Sequence, residues 1–260
     1  MQTRSVAVAN EKGGVGKTVT VINLGAALSR LGKKVLIVDM DPQANATKGL
    51  GVELAPEAPT IYDLVGPDGE ASTAETIVAT KWAGLDAIPS HVDLSGAEVE
   101  LADVAGRENR LRDALATLDG QYDFILLDTP PSLSLLTVNV FAYARYVLVP
   151  CQTHPYAYGA LGELFDTIAA VKAEINPDIE VLGILPTFFD ARTRVSQRIL
   201  QALQDEPRYR PLLFKTAVRA NTTIAESADV GRPVVFFRKG SFGAMDYNDA
   251  AGELLARLAD

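Results

Sequence analysis

The stretch Lys12-Gly13-Gly14-Val15-Gly16-Lys17-Thr18 constrains this chain more than any other. It comes after the short apolar run Ser5-Val6-Ala7-Val8-Ala9 and precedes an unbroken helical pattern from Val19 to Leu31. A strand, a glycine loop and a helix in that order make a phosphate-binding loop. Glycines let backbone N–H groups converge on an anion, the helix N-terminus adds partial positive charge, and Lys17 adds a full one. Thr18 offers a hydroxyl to a magnesium ion bridging the phosphates. The candidate nucleotide contacts are therefore Gly13, Gly14, Val15, Gly16, Lys17, Thr18 and the adjoining Val19. Lys12 is a second lysine, which phosphate binding alone does not require.

Beyond the loop the chain reads as alternating strands and helices. Gly32 and the basic Lys33-Lys34 stop the first helix. Val35-Leu36-Ile37-Val38 has the continuous apolar character of a buried parallel strand, and it runs into Asp39-Met40-Asp41-Pro42-Gln43-Ala44-Asn45. Carboxylates at that point sit at the ligand-binding edge of an open α/β sheet. Phe124-Ile125-Leu126-Leu127 ends in Asp128, the pattern of a strand whose terminal carboxylate orients water or supports magnesium opposite Thr18. Leu85 to Ser90, Tyr146 to Pro150 and Val181 to Pro186 read as further strands, and Tyr156 to Ile175 as one long helix. Residues 51–80 read as surface loops and small helices, and Leu94 to Leu118 as helix broken near Gly106. The fold expected is α/β, a single doubly wound, mostly parallel sheet with helices on both faces. One domain over 1–260 is expected, with no N-terminal helix-turn-helix.

Composition narrows the function classes. The single cysteine, Cys151, excludes an internal disulfide and any paired-cysteine metal or iron–sulfur site. No run of eighteen apolar residues is present, so no membrane span is expected and the expected location is cytoplasmic. The net charge of −9 argues against a uniformly basic nucleic-acid binder, but the charge is unevenly spread. Residues 186–240 hold ten Lys/Arg and five Asp/Glu, a net of +5, which leaves −14 for the rest. Asp190 reads as the N-cap of a helix on which Arg194 and Arg198 share one face. Such a face can bind phosphates or can be an ordinary solvated surface paired with Asp205 and Glu206.

Four strings carry a family resemblance. Residues 12–18 are similar to the deviant Walker A motif of the ParA/MinD superfamily of ATPases. Asp39-Met40-Asp41-Pro42-Gln43-Ala44-Asn45 resembles its Asp-x-Asp-Pro-Gln-x-Asn switch, and Asp128-Thr129-Pro130-Pro131 its Asp-x-Pro-Pro second switch. Phe189-Asp190-Ala191-Arg192-Thr193 is similar to a later segment of the ParA/Soj branch. The resemblance covers essentially the whole chain and implies a partition ATPase that uses ATP and Mg2+. It implies that Lys12 acts across a nucleotide-sandwiched homodimer, that Asp41 positions the attacking water, and that Asp128 supports magnesium through water. Asp39, Pro42, Gln43, Asn45, Pro130 and Pro131 would be switch residues. Arg192, Arg194, Arg198 and Arg219 would contact double-stranded DNA without regard to sequence, and a ParB-type centromere-binding protein would stimulate hydrolysis, giving a nucleoid-associated protein. The sequence departs from the resemblance at Thr223, where the family has an arginine, so that role either passes to Arg219 or is missing here. Val19 replaces a frequent threonine with little expected effect.

A MinD-like membrane-cycling regulator is the alternative. It needs a basic amphipathic C-terminal helix, whereas residues 250–260 hold one basic residue, Arg257.

Overall fold

The apolar runs become the central strands of one sheet. The structure, a computed structural model, describes residues 2–67, 69 and 71–259. Among these, seven strands are found: β1 (Arg4–Val8), β2 (Val35–Asp39), β3 (Val78–Ala79), β4 (Leu85–Ile88), β5 (Phe124–Asp128), β6 (Tyr146–Gln152) and β7 (Glu180–Thr187). Their order is β3-β4-β2-β5-β1-β6-β7, and every pairing is parallel except β3 with β4. The antiparallel edge lies in the stretch whose composition suggested only loops and small helices. Two residues are too few to show a strand period.

Alternation within the strands sorts the core into two layers. Ala7, Leu36, Val38, Ile125, Leu127 and Val147 face one layer with Leu111, Val140, Leu161 and Leu164. Val6, Val8, Val35, Ile37, Leu126 and Leu148 face the other with Leu24, Leu28, Tyr247 and Leu254. A sheet buried on both faces requires apolar residues at every strand position, which is why these strands read as runs rather than alternations.

The helix after the phosphate loop spans Lys17–Arg30, two residues earlier than its periodicity suggests, and ends at Leu31 with Gly32 at φ +79°. The long helix expected over 156–175 is two, Pro155–Gly159 and Leu161–Glu174. Residues 94–118 break around Gly106, as their pattern indicates, into helices Leu94–Glu100 and Arg110–Leu115 with 3-10 turns between and after. The C-terminal helix, Phe242–Arg257, packs on the first helix, where the Tyr247 and Thr20 hydroxyls are 3.2 Å apart. Its one basic residue, Arg257, donates to the carbonyls of Leu182, Leu212 and Leu213 and so is spent inside the fold. Asp260, last in the C-terminal string, lies outside the described residues. No described helix is long and apolar enough to cross a membrane.

Candidate functional site

Register places the chemistry at one edge. Val8 and Asp39 both pair with Asp128, so β1, β2 and β5 end level and the loop after β1 lies beside both carboxylates. That edge is where open α/β sheets bind ligands. Gly14 (φ +76°) and Gly16 (φ +91°) turn the chain in left-handed conformations that a side chain would strain. Gly16 hands over directly to the helix at Lys17, whose first turn holds no acidic residue and leaves its N–H groups for an anion. Gly13, Gly14, Gly16, Lys17, Thr18 and Val19 line a cleft of about 340 Å3 together with Asp41, Gln43, Asn45, Pro131 and Phe188. Val15 is buried beneath it, and its carbonyl accepts from the Thr187 hydroxyl at 2.8 Å.

Lys17 is buried, and its ammonium donates to the Lys12 carbonyl at 3.2 Å. Burial lowers its pKa, and the nearby charges of Asp128 and Asp41 work against that shift. Among the described residues no carboxylate lies within 4.0 Å of Lys17, so its charge is available to a phosphate.

Asp39 and Asp41 take different parts within one switch. Asp39 organises: its carboxylate accepts from the Thr47 N–H (2.8 Å), the Thr47 hydroxyl (2.7 Å) and the Asp41 N–H (3.2 Å). Burial still pushes its pKa up to about 6, with Asp41 adding to the effect. The Thr47 hydroxyl also accepts from the Ser90 N–H, tying the switch to the end of β4. The Asp41 carboxylate, buried but lining the cleft, accepts among the described residues only from the Gln43 N–H (3.0 Å), which leaves its second oxygen without a protein partner. The Ala44 N–H donates to the Asp41 carbonyl at 2.8 Å and closes a turn through Pro42 and Gln43, with Ala44 at φ +53°, and Gln43 and Asn45 are exposed.

Asp128 fits a magnesium site. It is fully buried, and neither oxygen completes a hydrogen bond of normal geometry. Burial raises its pKa well above the usual range and Asp39 adds to that, while the adjacent Thr18 hydroxyl and Lys17 draw it back. A buried, underbonded carboxylate beside a hydroxyl is the hard-oxygen environment that a partly hydrated magnesium ion satisfies. Thr129 donates to the Val8 carbonyl, Pro130 is buried, and Pro131 stands exposed at the cleft.

Lys12 differs from Lys17. Its N–H is fixed by Asn10 Oδ1 at 2.9 Å, Asn10 in turn donates to the Pro150 carbonyl, and Lys12 itself is exposed. Its ammonium lies 5.8 Å from the ring centre of the exposed Tyr156 and is not among the groups lining the cleft.

Nothing in the linear chain signals the neighbouring apolar cavity. About 160 Å3 in size, it is bounded by Gly16, Val19, Phe188, Val218, Ile224 and Tyr247, with Arg219 and Asn221 at its polar side. Phe188 has φ +51°, a left-handed conformation that costs a side-chain-bearing residue roughly 1–2 kcal/mol. Only the positive φ marks this residue, and a sequence does not display it.

The arginines divide into two kinds. Arg194 and Arg198 are exposed, one turn apart on the helix Arg194–Asp205. That helix is capped by Thr193, whose hydroxyl accepts from the Ser196 N–H, and not by Asp190. Asp190 instead accepts from the Arg192 N–H and pairs with its guanidinium at 2.9 Å, closing the turn before the helix. Arg192 therefore lies outside the helix. Arg219 is half-buried, bonded through backbone and guanidinium to the buried Asp246, with the ring of Phe242 stacked 4.0 Å away. Thr223, in the place of the family arginine, is buried. Cys151 is fully buried, and its thiol is pushed up to about 12 by desolvation. His91 is exposed and bonded to Asp93.

Comparison with known proteins agrees with this geometry. Residues 3–181 match the protein family described as an AAA domain. The chain is 40% identical to the sporulation initiation inhibitor protein Soj of Bacillus subtilis, over 96% of this chain and 98% of that one. It is 38% identical to the chromosome partitioning protein ParA of Caulobacter vibrioides, over 99% and 96%. A crystal structure titled cobyrinic acid a,c-diamide synthase from Mycobacterium smegmatis, with bound ADP and magnesium, superposes with a TM-score of 0.85 at 36% identity, covering 99% of this chain and 96% of that one.

Proposed function

The chain belongs to the ParA/Soj family of chromosome-partitioning ATPases, and we propose that it works as an ATP-closed dimer that binds DNA without regard to sequence and lets go on hydrolysis. The observation that carries this reading is the pair of lysines on one loop, one buried and aimed into the phosphate cleft, the other exposed and outside it. A single-site ATPase needs only the first. The second, exposed and outside that cleft, would reach a nucleotide held by another copy.

Within one subunit, the loop N–H groups and Lys17 would hold the triphosphate, Thr18 would hold magnesium, and Asp128 would support the ion through water. The ion, when bound, neutralises charge on the phosphate oxygens. Asp41 uses its remaining oxygen to orient water, and Asp39 and Thr47 fix the backbone that aims it. The nucleoside extends past Gly16 into the apolar cavity. Phosphoryl transfer asks for little beyond positioning and charge stabilisation.

The DNA face is built from exposed cations. Arg194 and Arg198 supply one part. Arg232 and Arg238, which ride 5.6 and 5.9 Å from the ring centres of Trp82 and Phe237, supply another, and among the described residues neither has a carboxylate partner within 4.0 Å. A ParB-type centromere-binding protein would stimulate hydrolysis, and binding to DNA would place this protein on the nucleoid in the cytoplasm. The internal bonding of Arg257 weighs against a membrane-binding C-terminus of the MinD kind.

Binding to two unrelated DNA duplexes with ATP, with ADP and without nucleotide tests the proposal. Equal binding to both duplexes with ATP alone is expected. Lipid binding in place of DNA binding would move the protein to the MinD-like class, and nucleotide-indifferent behaviour would remove the switch.

A further inference from the structure

We propose that Phe188 is the stacking platform for the nucleoside, a specificity-determining residue that discriminates a nucleoside triphosphate from a bare triphosphate. The inference rests on the nucleotide reading of the phosphate loop and goes beyond it by assigning this ring.

Three residues, Gly16, Val19 and Phe188, border both the phosphate cleft and the apolar cavity. Of these only Phe188 presents an aromatic face. A triphosphate seated on the loop can send its nucleoside into the cavity only along that shared border. The ring lies against the loop: a side chain at Gly16 would come within 3.3 Å of Phe188 Cε2. Phe188 is nevertheless 43% exposed, and among the described residues it stacks on no other ring. A large apolar ring that borders the loop, is partly exposed and has no other ring stacked on it is what a flat base can cover.

The backbone explains how the ring is held. Phe188 and Ala44 are the described non-glycine residues with positive φ, and they stand on opposite sides of the phosphate loop. The left-handed conformation of Phe188 is fixed from both sides. The Thr187 hydroxyl donates to the Val15 carbonyl, the Phe188 carbonyl accepts from the Thr153 hydroxyl, and the Phe189 N–H donates to the Val218 carbonyl. An extended conformation at this residue would swing the ring off Gly16. Strain kept in place by three flanking hydrogen bonds, at the mouth of a cavity, points to a ring required at that position.

The test compares ATP with inorganic triphosphate, each with magnesium, by calorimetric titration of the wild-type protein and of Phe188→Ala, Phe188→Leu and Phe188→Tyr. Leu keeps apolar volume and guards against a folding defect in the Ala variant, while Tyr keeps the aromatic face. Expected is a loss of ATP affinity of roughly tenfold or more in the Ala and Leu variants, near-wild-type ATP affinity in the Tyr variant, and triphosphate affinity unchanged within about twofold throughout. ATP affinity retained in the Leu variant overturns the platform, as does a parallel loss for triphosphate, which would show that the ring only shapes the loop. Wild-type protein that binds neither ligand overturns the nucleotide reading itself.

Discussion

The two flanks of the phosphate loop are built alike in backbone and opposite in character. On one side β2 runs into Asp39–Thr47, and on the other β7 runs into Phe188–Arg198. Each carries a non-glycine residue in the left-handed region, Ala44 at φ +53° and Phe188 at φ +51°. In the first flank Asp39 and Thr47 are turned inward, with both oxygens of Asp39 engaged by Thr47 and Asp41. In the second the ring of Phe188 and the charges of Arg194 and Arg198 are turned outward. A flank saturated with internal hydrogen bonds holds a catalytic group rigidly, and a flank with uncommitted groups meets ligands.

The flanks meet at the loop, and the largest effects belong there. Lys17→Ala should weaken ATP binding by roughly two orders of magnitude or more, since among the described residues no other buried cation lines the cleft. Lys12→Ala should leave binding to the monomer near wild type and abolish the ATP-dependent dimer. Calorimetry and light scattering read the two effects, and identical behaviour of the two variants would erase the distinction between them.

Thr47→Val probes the inward flank. It removes a donor from Asp39 and an acceptor from the Ser90 N–H, both buried, and should lower unfolding stability by about 2–3 kcal/mol in urea. A change under about 0.5 kcal/mol would mean that this network does not stiffen the switch.

The smallest effects should sort the arginines. Changing Arg194 and Arg198 together to Ala should leave stability unaltered, weaken DNA binding about tenfold and reduce the salt slope by roughly 2. Arg219→Ala should behave in reverse. It withdraws the partner of the buried Asp246 and should cost about 1–2 kcal/mol of stability, discounted for the partial exposure of Arg219, with little change in salt slope. A steeper loss of DNA binding in Arg219→Ala than in the double variant would reverse the assignment.

The sheet and the phosphate site are legible in the order of residues alone. Apolar runs ending in Asp39 and Asp128, and glycines spaced for a tight loop, are local necessities, and local necessities leave their mark on consecutive residues. Lys12 separates from Lys17 in the same way, because a loop needs only one lysine. Other roles emerge only when distant segments meet. Arg219 looks like a free cation in the chain, yet it pairs with Asp246, 27 residues away. The helix starts at Arg194, so Thr193 caps it, while Asp190 lies further out and bonds Arg192. The apolar cavity joins residues from positions 16 to 247, and the left-handed Phe188 on its border is held by Thr153, Thr187 and Val218. Charge pairing, capping and cavity walls depend on which side chains meet in space, and only the packed sheet settles that.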